Sequence, residues 1–91
     1  MKLTMIKVSA DHIARGTKCD ECNCPVALAI KEIVADGVYV QVCGDEIDLG
    51  GDLIQSARQV EQFVFDFDKG LPVEPFEFAL EVPERLLKGG E

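Results

Sequence analysis

Cys19-Asp20-Glu21-Cys22-Asn23-Cys24 is the stretch in which residue type and spacing bear most directly on chemistry. A Cys-x-x-Cys pair offers two thiolates to one metal, and a structural zinc takes four ligands, with sulfur at about 2.3 Å. Cys24 would be the third ligand, and His12 or Cys43 the fourth. Two features oppose zinc. No second Cys-x-x-Cys is present, and Asp20 and Glu21 add negative charge beside the thiolates. The expectation is therefore no cofactor, with zinc on this cluster as the alternative. Cys24 also precedes Pro25, a residue suited to the first position of a helix, and so is the expected N-cap. Helix-end N–H groups favour a thiolate there, with Cys22 as a resolving partner. A thiol-dependent enzyme built on that pair is the third-ranked function, because no thioredoxin-like sequence surrounds it.

Other residues carry less chemistry. His12 is the single histidine, and near a helix start it is expected to make a local hydrogen bond rather than act as a base. Asp45, Glu46, Asp48 and Asp52 crowd a glycine-rich turn, yet the alternating order of a calcium loop is absent. Gly50-Gly51 is followed by no Gly-Lys-Ser/Thr and is not a phosphate loop. Tyr39 and Phe65 are aromatics outside the apolar pattern of their elements; exposed together, they would form a binding anchor. No catalytic residue is assigned.

The elements that must position these residues follow from periodicity. Lys2 to Val8 reads as a strand, and Ser9 as the cap of a short helix that Gly16 ends. A deeply buried helix is expected from Pro25 to Ala35, closed by Asp36-Gly37. Val38 to Cys43 alternates as a strand, Gly44-Asp45 is a two-residue turn, and Glu46 to Leu49 returns; Leu53-Ile54 resumes the strand after the glycine pair. Ser56 and Gln59 have capping-box spacing before a helix whose apolar face is Ala57, Val60, Phe63, Val64 and Phe67. Phe76, Phe78, Leu80 and Val82 alternate with Glu77, Ala79 and Glu81 in a final strand. The predicted class is α+β, in the order β-α-α-β-β-α-β, with helices on a mostly antiparallel sheet of about four strands. Residues 1–83 form the expected domain and 84–91 a short helix or tail. Leu28, Val34, Val40, Phe63, Phe67, Phe76 and Phe78 are expected to share its core.

Composition narrows the function classes. At 91 residues, 47% hydrophobic and 29% charged, the chain can fold around one modest core and is not a disordered sequence. Its net charge of −8 opposes nucleic acid as a partner. Residues 1–44 balance five acids against five bases, so the whole excess falls in residues 45–91. No apolar run approaches a membrane span, and Met1 to His12 lacks an apolar signal-peptide core, so a cytoplasmic protein is expected. In that compartment the four cysteines are expected as thiols or metal ligands rather than disulfides.

His12-Ile13, Gly16 and Cys24-Pro25-Val26-Ala27-Leu28-Ala29 form one group of residues, and Phe63, Phe67-Asp68, Gly70, Val73, Pro75-Phe76 and Phe78 a second. Together they resemble a family of small phage and prophage proteins of unknown function. Cys19 and Cys22 lie outside that pattern. The resemblance implies a phage-encoded accessory protein in the cytoplasm of an infected or lysogenic bacterial host. With the charge, it leads to the expectation of a non-enzymatic protein that binds a host protein and occludes a basic, nucleic-acid-binding surface of a defence complex. The expected contact residues are Asp45, Glu46, Asp48, Asp52, Glu77, Glu81 and Tyr39. A small zinc-stabilised binding module is the alternative.

Overall fold

The structure, a computed structural model, describes residues 2–88. In chain order these form β1 (Lys2–Val8), α1 (Ala10–Arg15), α2 (Pro25–Lys31), β2 (Val40–Val42), β3 (Glu46–Leu49), β4 (Asp52–Gln55), α3 (Arg58–Asp68) and β5 (Phe76–Val82), then a 3₁₀ turn at Glu84–Leu86. The class is α+β and all strand pairing is antiparallel. The strands divide between two sheets rather than one: β1 pairs with β5, and β2, β3 and β4 form a meander.

In the first sheet the register runs from Lys2 opposite Val82 to Val8 opposite Phe76. Because side chains alternate along a strand, Ile6, Val8, Phe78, Leu80 and Val82 are buried. Leu3, Met5, Lys7, Glu77, Ala79 and Glu81 are left on the open face. In the meander, Val40, Val42, Ile47 and Leu49 turn inward. Gly44-Asp45 is the expected turn, with Gly44 at a φ of +77°. Gly50-Gly51, expected as a break, is itself a two-residue turn joining Leu49 to its partner Asp52. Both glycines have positive φ, as the tight turn between right-twisted strands demands.

The helices enter as their caps dictate. Ser9 accepts from the His12 amide at 3.2 Å while Nδ1 of His12 accepts from the Ser9 amide at 2.9 Å, a reciprocal cap. Cys24 caps α2 through its sulfur, and Pro25 fills the first helical position. That helix stops at Lys31, four residues short of the expected Ala35. The reason is tertiary: Ala35 donates to the carbonyl of Leu86 and Lys88 to that of Ile33, so this segment pairs with the chain after β5 instead of continuing the helix. Residues 84–88, expected as a short helix or tail, hold the 3₁₀ turn and dock on the core through Leu86 and Leu87, while 89–91 lie outside the described residues. The capping box expected from Ser56 and Gln59 is not formed. Ser56 Oγ donates instead to the Gly44 carbonyl and Gln59 Nε2 to that of Glu77, and α3 starts from Ala57 without a side-chain cap.

One core joins both sheets and the helices, and it includes Val34, Val40, Phe63, Phe67 and Phe78 from the expected set. Phe76 is only partly buried against that core, and Leu28, expected in it, is half-buried and is not part of it.

Candidate functional site

Helix α3 buries Val60, Phe63 and Phe67 against the core, which turns Glu61, Phe65 and Asp68 outward along one stripe. Their i, i+4, i+7 spacing keeps them on one face. The β2–β3 turn and Glu21 of the 17–24 loop line one groove with this stripe. That loop is fixed by its own polar groups. Asp20 accepts from the Cys22 amide and from the Asn23 side chain, both at 3.0 Å, and Thr17 donates to the Asn23 carbonyl at 2.8 Å. The Asn23 hydrogen bond, then that from the Cys22 amide, holds the Asp20 carboxyl below its ordinary value. A lowered carboxylate contributes stability above its unfolded value and loses it as the pH falls through the lowered one. This turn is therefore expected to loosen in acid.

Two bonds carry the loop onto the body of the protein. The Val42 amide donates to the Glu21 carbonyl at 2.8 Å, and the Cys19 amide donates to Asp68 Oδ1 at 2.9 Å. The result is an open groove of about 500 Å³ lined by apolar and acidic residues. Val42, Val64 and Phe65 supply the apolar surface; Glu21, Asp45, Glu61 and Asp68 supply four carboxylates. No lysine or arginine is among its lining residues, although Lys69 Nζ rests 4.6 Å from the centre of the Phe65 ring. Phe65 is 52% exposed. Beyond Glu21, Gln41 hydrogen-bonds the Glu21 carboxylate and accepts from the Tyr39 hydroxyl at 3.1 Å, and Tyr39 is 50% exposed. Tyr39 is thus linked to Glu21 through Gln41, and Phe65 lines the same groove as Glu21.

The other expected contact residues are distributed. Asp45 lines the groove, and Glu46 is exposed at the start of β3. Asp48 accepts from the Gly51 amide at 2.9 Å and stiffens that turn. Asp52 is paired with Arg85 at 2.7 Å. Glu77 and Glu81 sit on the separate β1·β5 sheet, opposite Lys7 and Leu3. Glu21, Glu61 and Asp68 were not among the contact residues expected from the sequence. The helical spacing of Glu61 and Asp68 around Phe65 was the available signal for two of them.

The cysteine cluster opens out. Cys19 faces the Asp68 carbonyl, and Cys22 faces the Tyr39 hydroxyl, each at 4.0 Å. Cys24 is buried, its sulfur 3.4 Å from the Ala27 amide. Among the described residues no three of these side chains converge on one point. Both nitrogens of His12 are engaged, because Nδ1 accepts from the Ser9 amide and Nε2 contacts Glu32 Oε2 at 2.9 Å. An accepting Nδ1 leaves the proton on Nε2. The bond to Ser9 is the local one expected, and the contact with Glu32 ties α1 to the end of α2 as well.

Cys24, the residue on which the third-ranked thiol reading rests, fills the helix entry as a buried cap. Burial pushes this thiol up, outweighing the Ala27 and Val26 amides that pull it down. Cys43 is also raised, by desolvation first and then by Glu21, Glu46 and Asp45. Alkylation mapped by mass spectrometry at neutral pH is expected to label exposed Cys19 first and Cys24 more than about tenfold more slowly. Equal rates at Cys19 and Cys24 would contradict the burial of the cap.

No protein-family model, curated protein or solved structure matches the chain.

Proposed function

We propose that this chain is a non-enzymatic accessory protein that binds a basic surface of another protein through the groove between α3, the β2–β3 turn and the 17–24 loop. The observation that carries the reading is Phe65, an aromatic half in solvent in a groove whose lining holds four acidic residues and no lysine or arginine, with Lys69 the one cation at its ring. Aromatics at the centre of an interface supply much of its affinity, and surrounding charges steer encounter and choose the partner's sign. A partner presenting arginine or lysine beside an apolar side chain meets both demands. The phage-type resemblance supplies the setting: the target is a host protein, and the basic surface is one that ordinarily holds nucleic acid, as in a defence complex. Glu77 and Glu81 then act at a distance, through the long-range field rather than by contact.

The test is quantitative capture from a bacterial lysate by the wild-type chain and by Phe65→Ala and Glu61→Lys. A basic protein is expected to be retained by the wild type. Retention is expected to fall about tenfold with either variant and steeply as salt rises from about 50 to about 500 mM. Charge reversal at Glu77 and Glu81 is expected to slow association and leave the lifetime unchanged. A captured set indifferent to both groove variants and to salt would overturn this reading.

A further inference from the structure

The flank of α3 turned away from the acidic groove carries Gln59, Gln62, Phe63 and Asp66, spaced at i, i+3, i+4 and i+7. With residues 72–76 it walls an open cleft of about 550 Å³, within the usual size of a small-ligand site. The cleft is tied at both ends. The Leu71 amide donates to the Asp66 carbonyl at 2.9 Å, and Gln59 Nε2 donates to the Glu77 carbonyl at 3.1 Å. Between these ties Pro72 and Pro75 fix the backbone at two positions, so the cleft is formed before any ligand arrives. Phe63, Val73 and Phe76 supply its apolar wall, with the two rings 4.8 Å apart. The polar lining is one-sided. Gln62 Nε2 donates to Asp66 Oδ1 at 3.0 Å, so each glutamine amide commits a donor hydrogen inside the protein and keeps an accepting oxygen. Asp66 and Glu74 add two carboxylates, and no lysine or arginine lines the cleft. Among the described residues neither acid is paired with a cation.

We propose that this cleft is a second binding site, and that its ligand is an arginine side chain presented by another protein. The lining selects that ligand by charge and by shape. An aromatic wall beside two carboxylates favours a cation on an apolar stem, which the rings and Val73 can cover. Accepting oxygens call for a ligand rich in N–H groups. A guanidinium carries five donors in a planar fork, can bind a carboxylate through two of them and can lie flat on a ring. An ammonium is a compact point charge that is more strongly hydrated, so lysine is the weaker occupant. A second copy of this chain is disfavoured, because each copy carries a net charge of −8.

The site does not rest on the acidic groove, and one titration separates the two. The isotope-labelled full chain is titrated with a capped tripeptide of arginine between two glycines, and amide NMR shifts are followed. Saturable shifts are expected at Gln59, Gln62, Asp66, Val73 and Glu74. The same peptide with citrulline, which keeps the shape and loses the charge, should bind about tenfold more weakly, and the lysine peptide about threefold more weakly. Asp66→Asn should weaken the arginine peptide about tenfold and Glu74→Gln, at an exposed position, about threefold. The variants' own spectra report their folding, and Glu74→Gln decides if Asp66→Asn disturbs the helix. Phe65→Ala and Glu61→Lys, which disable the acidic groove, should leave the titration unchanged. Shifts that do not saturate or that map away from the cleft would overturn the proposal. So would citrulline or lysine binding as tightly as arginine, or a folded Glu74→Gln chain with unaltered affinity.

Discussion

Phe63→Ala is expected to lower the unfolding free energy by about 3–5 kcal/mol, the usual cost of emptying a buried aromatic site. Phe63 is 7% exposed and stands where α3 meets β5, its ring 4.8 Å from that of Phe76 and 6.3 Å from that of Phe67. Phe76 in turn lies 5.7 Å from Phe78, so Phe63 joins the helix to a row of rings along the strand. A chain of this size has roughly 5–14 kcal/mol of stability in total, so the loss takes a large share of it. In urea the midpoint should fall while the slope stays constant. Phe65→Ala, two residues along the same helix but half in solvent, should change stability by no more than about 0.5 kcal/mol. Equal effects at the two positions would mean that α3 does not present the face described.

Gly16→Ala should cost about 3 kcal/mol, an unusually large penalty for adding one methyl group. The φ of Gly16 is −68°, so alanine meets no backbone objection there. The obstacle is space: a Cβ would stand 2.6 Å from Cδ, 2.7 Å from Cγ and 2.9 Å from N of Pro25. Neither the ring nor the backbone nitrogen can swing aside as a flexible side chain would. Relief requires α1 and α2 to separate, which strains the contact between His12 and Glu32. Thermal unfolding is the check, since each kcal/mol shifts the midpoint by about 4–8 °C in a domain of this size. A shift under about 2 °C would show that the two helices are not held this closely.

These residues also mark where sequence reasoning succeeds. Phe63, Phe67, Phe78 and Val40 were legible as core because strand and helix periods repeat within a few residues. Ser9 and Cys24 were legible as caps because each stands next to the helix it begins. Gly16 was legible only as a helix end; its contact with Pro25 depends on how two helices meet, which no local pattern encodes. The Ser56 and Gln59 pair failed for a related reason. Its spacing is right for a cap, but Gly44 and Glu77 offer both side chains tertiary acceptors. The groove shows the same division. Phe65 stood out by falling off the apolar face, whereas Glu21 arrives through a loop hydrogen-bonded to β2, across about twenty residues of sequence.

The division into two sheets has a consequence for the order of assembly. The β2–β3–β4 meander closes through two-residue turns and needs only its own short stretch of chain, so it can form within microseconds of being available. The β1·β5 sheet joins segments more than sixty residues apart and carries the larger loop-closure entropy. During synthesis β1 emerges with Ile6 and Val8 bare and must wait for Phe76–Val82 before it acquires a partner. Over that interval the nascent chain exposes an unpaired strand, the form in which chaperones and aggregation compete for a protein.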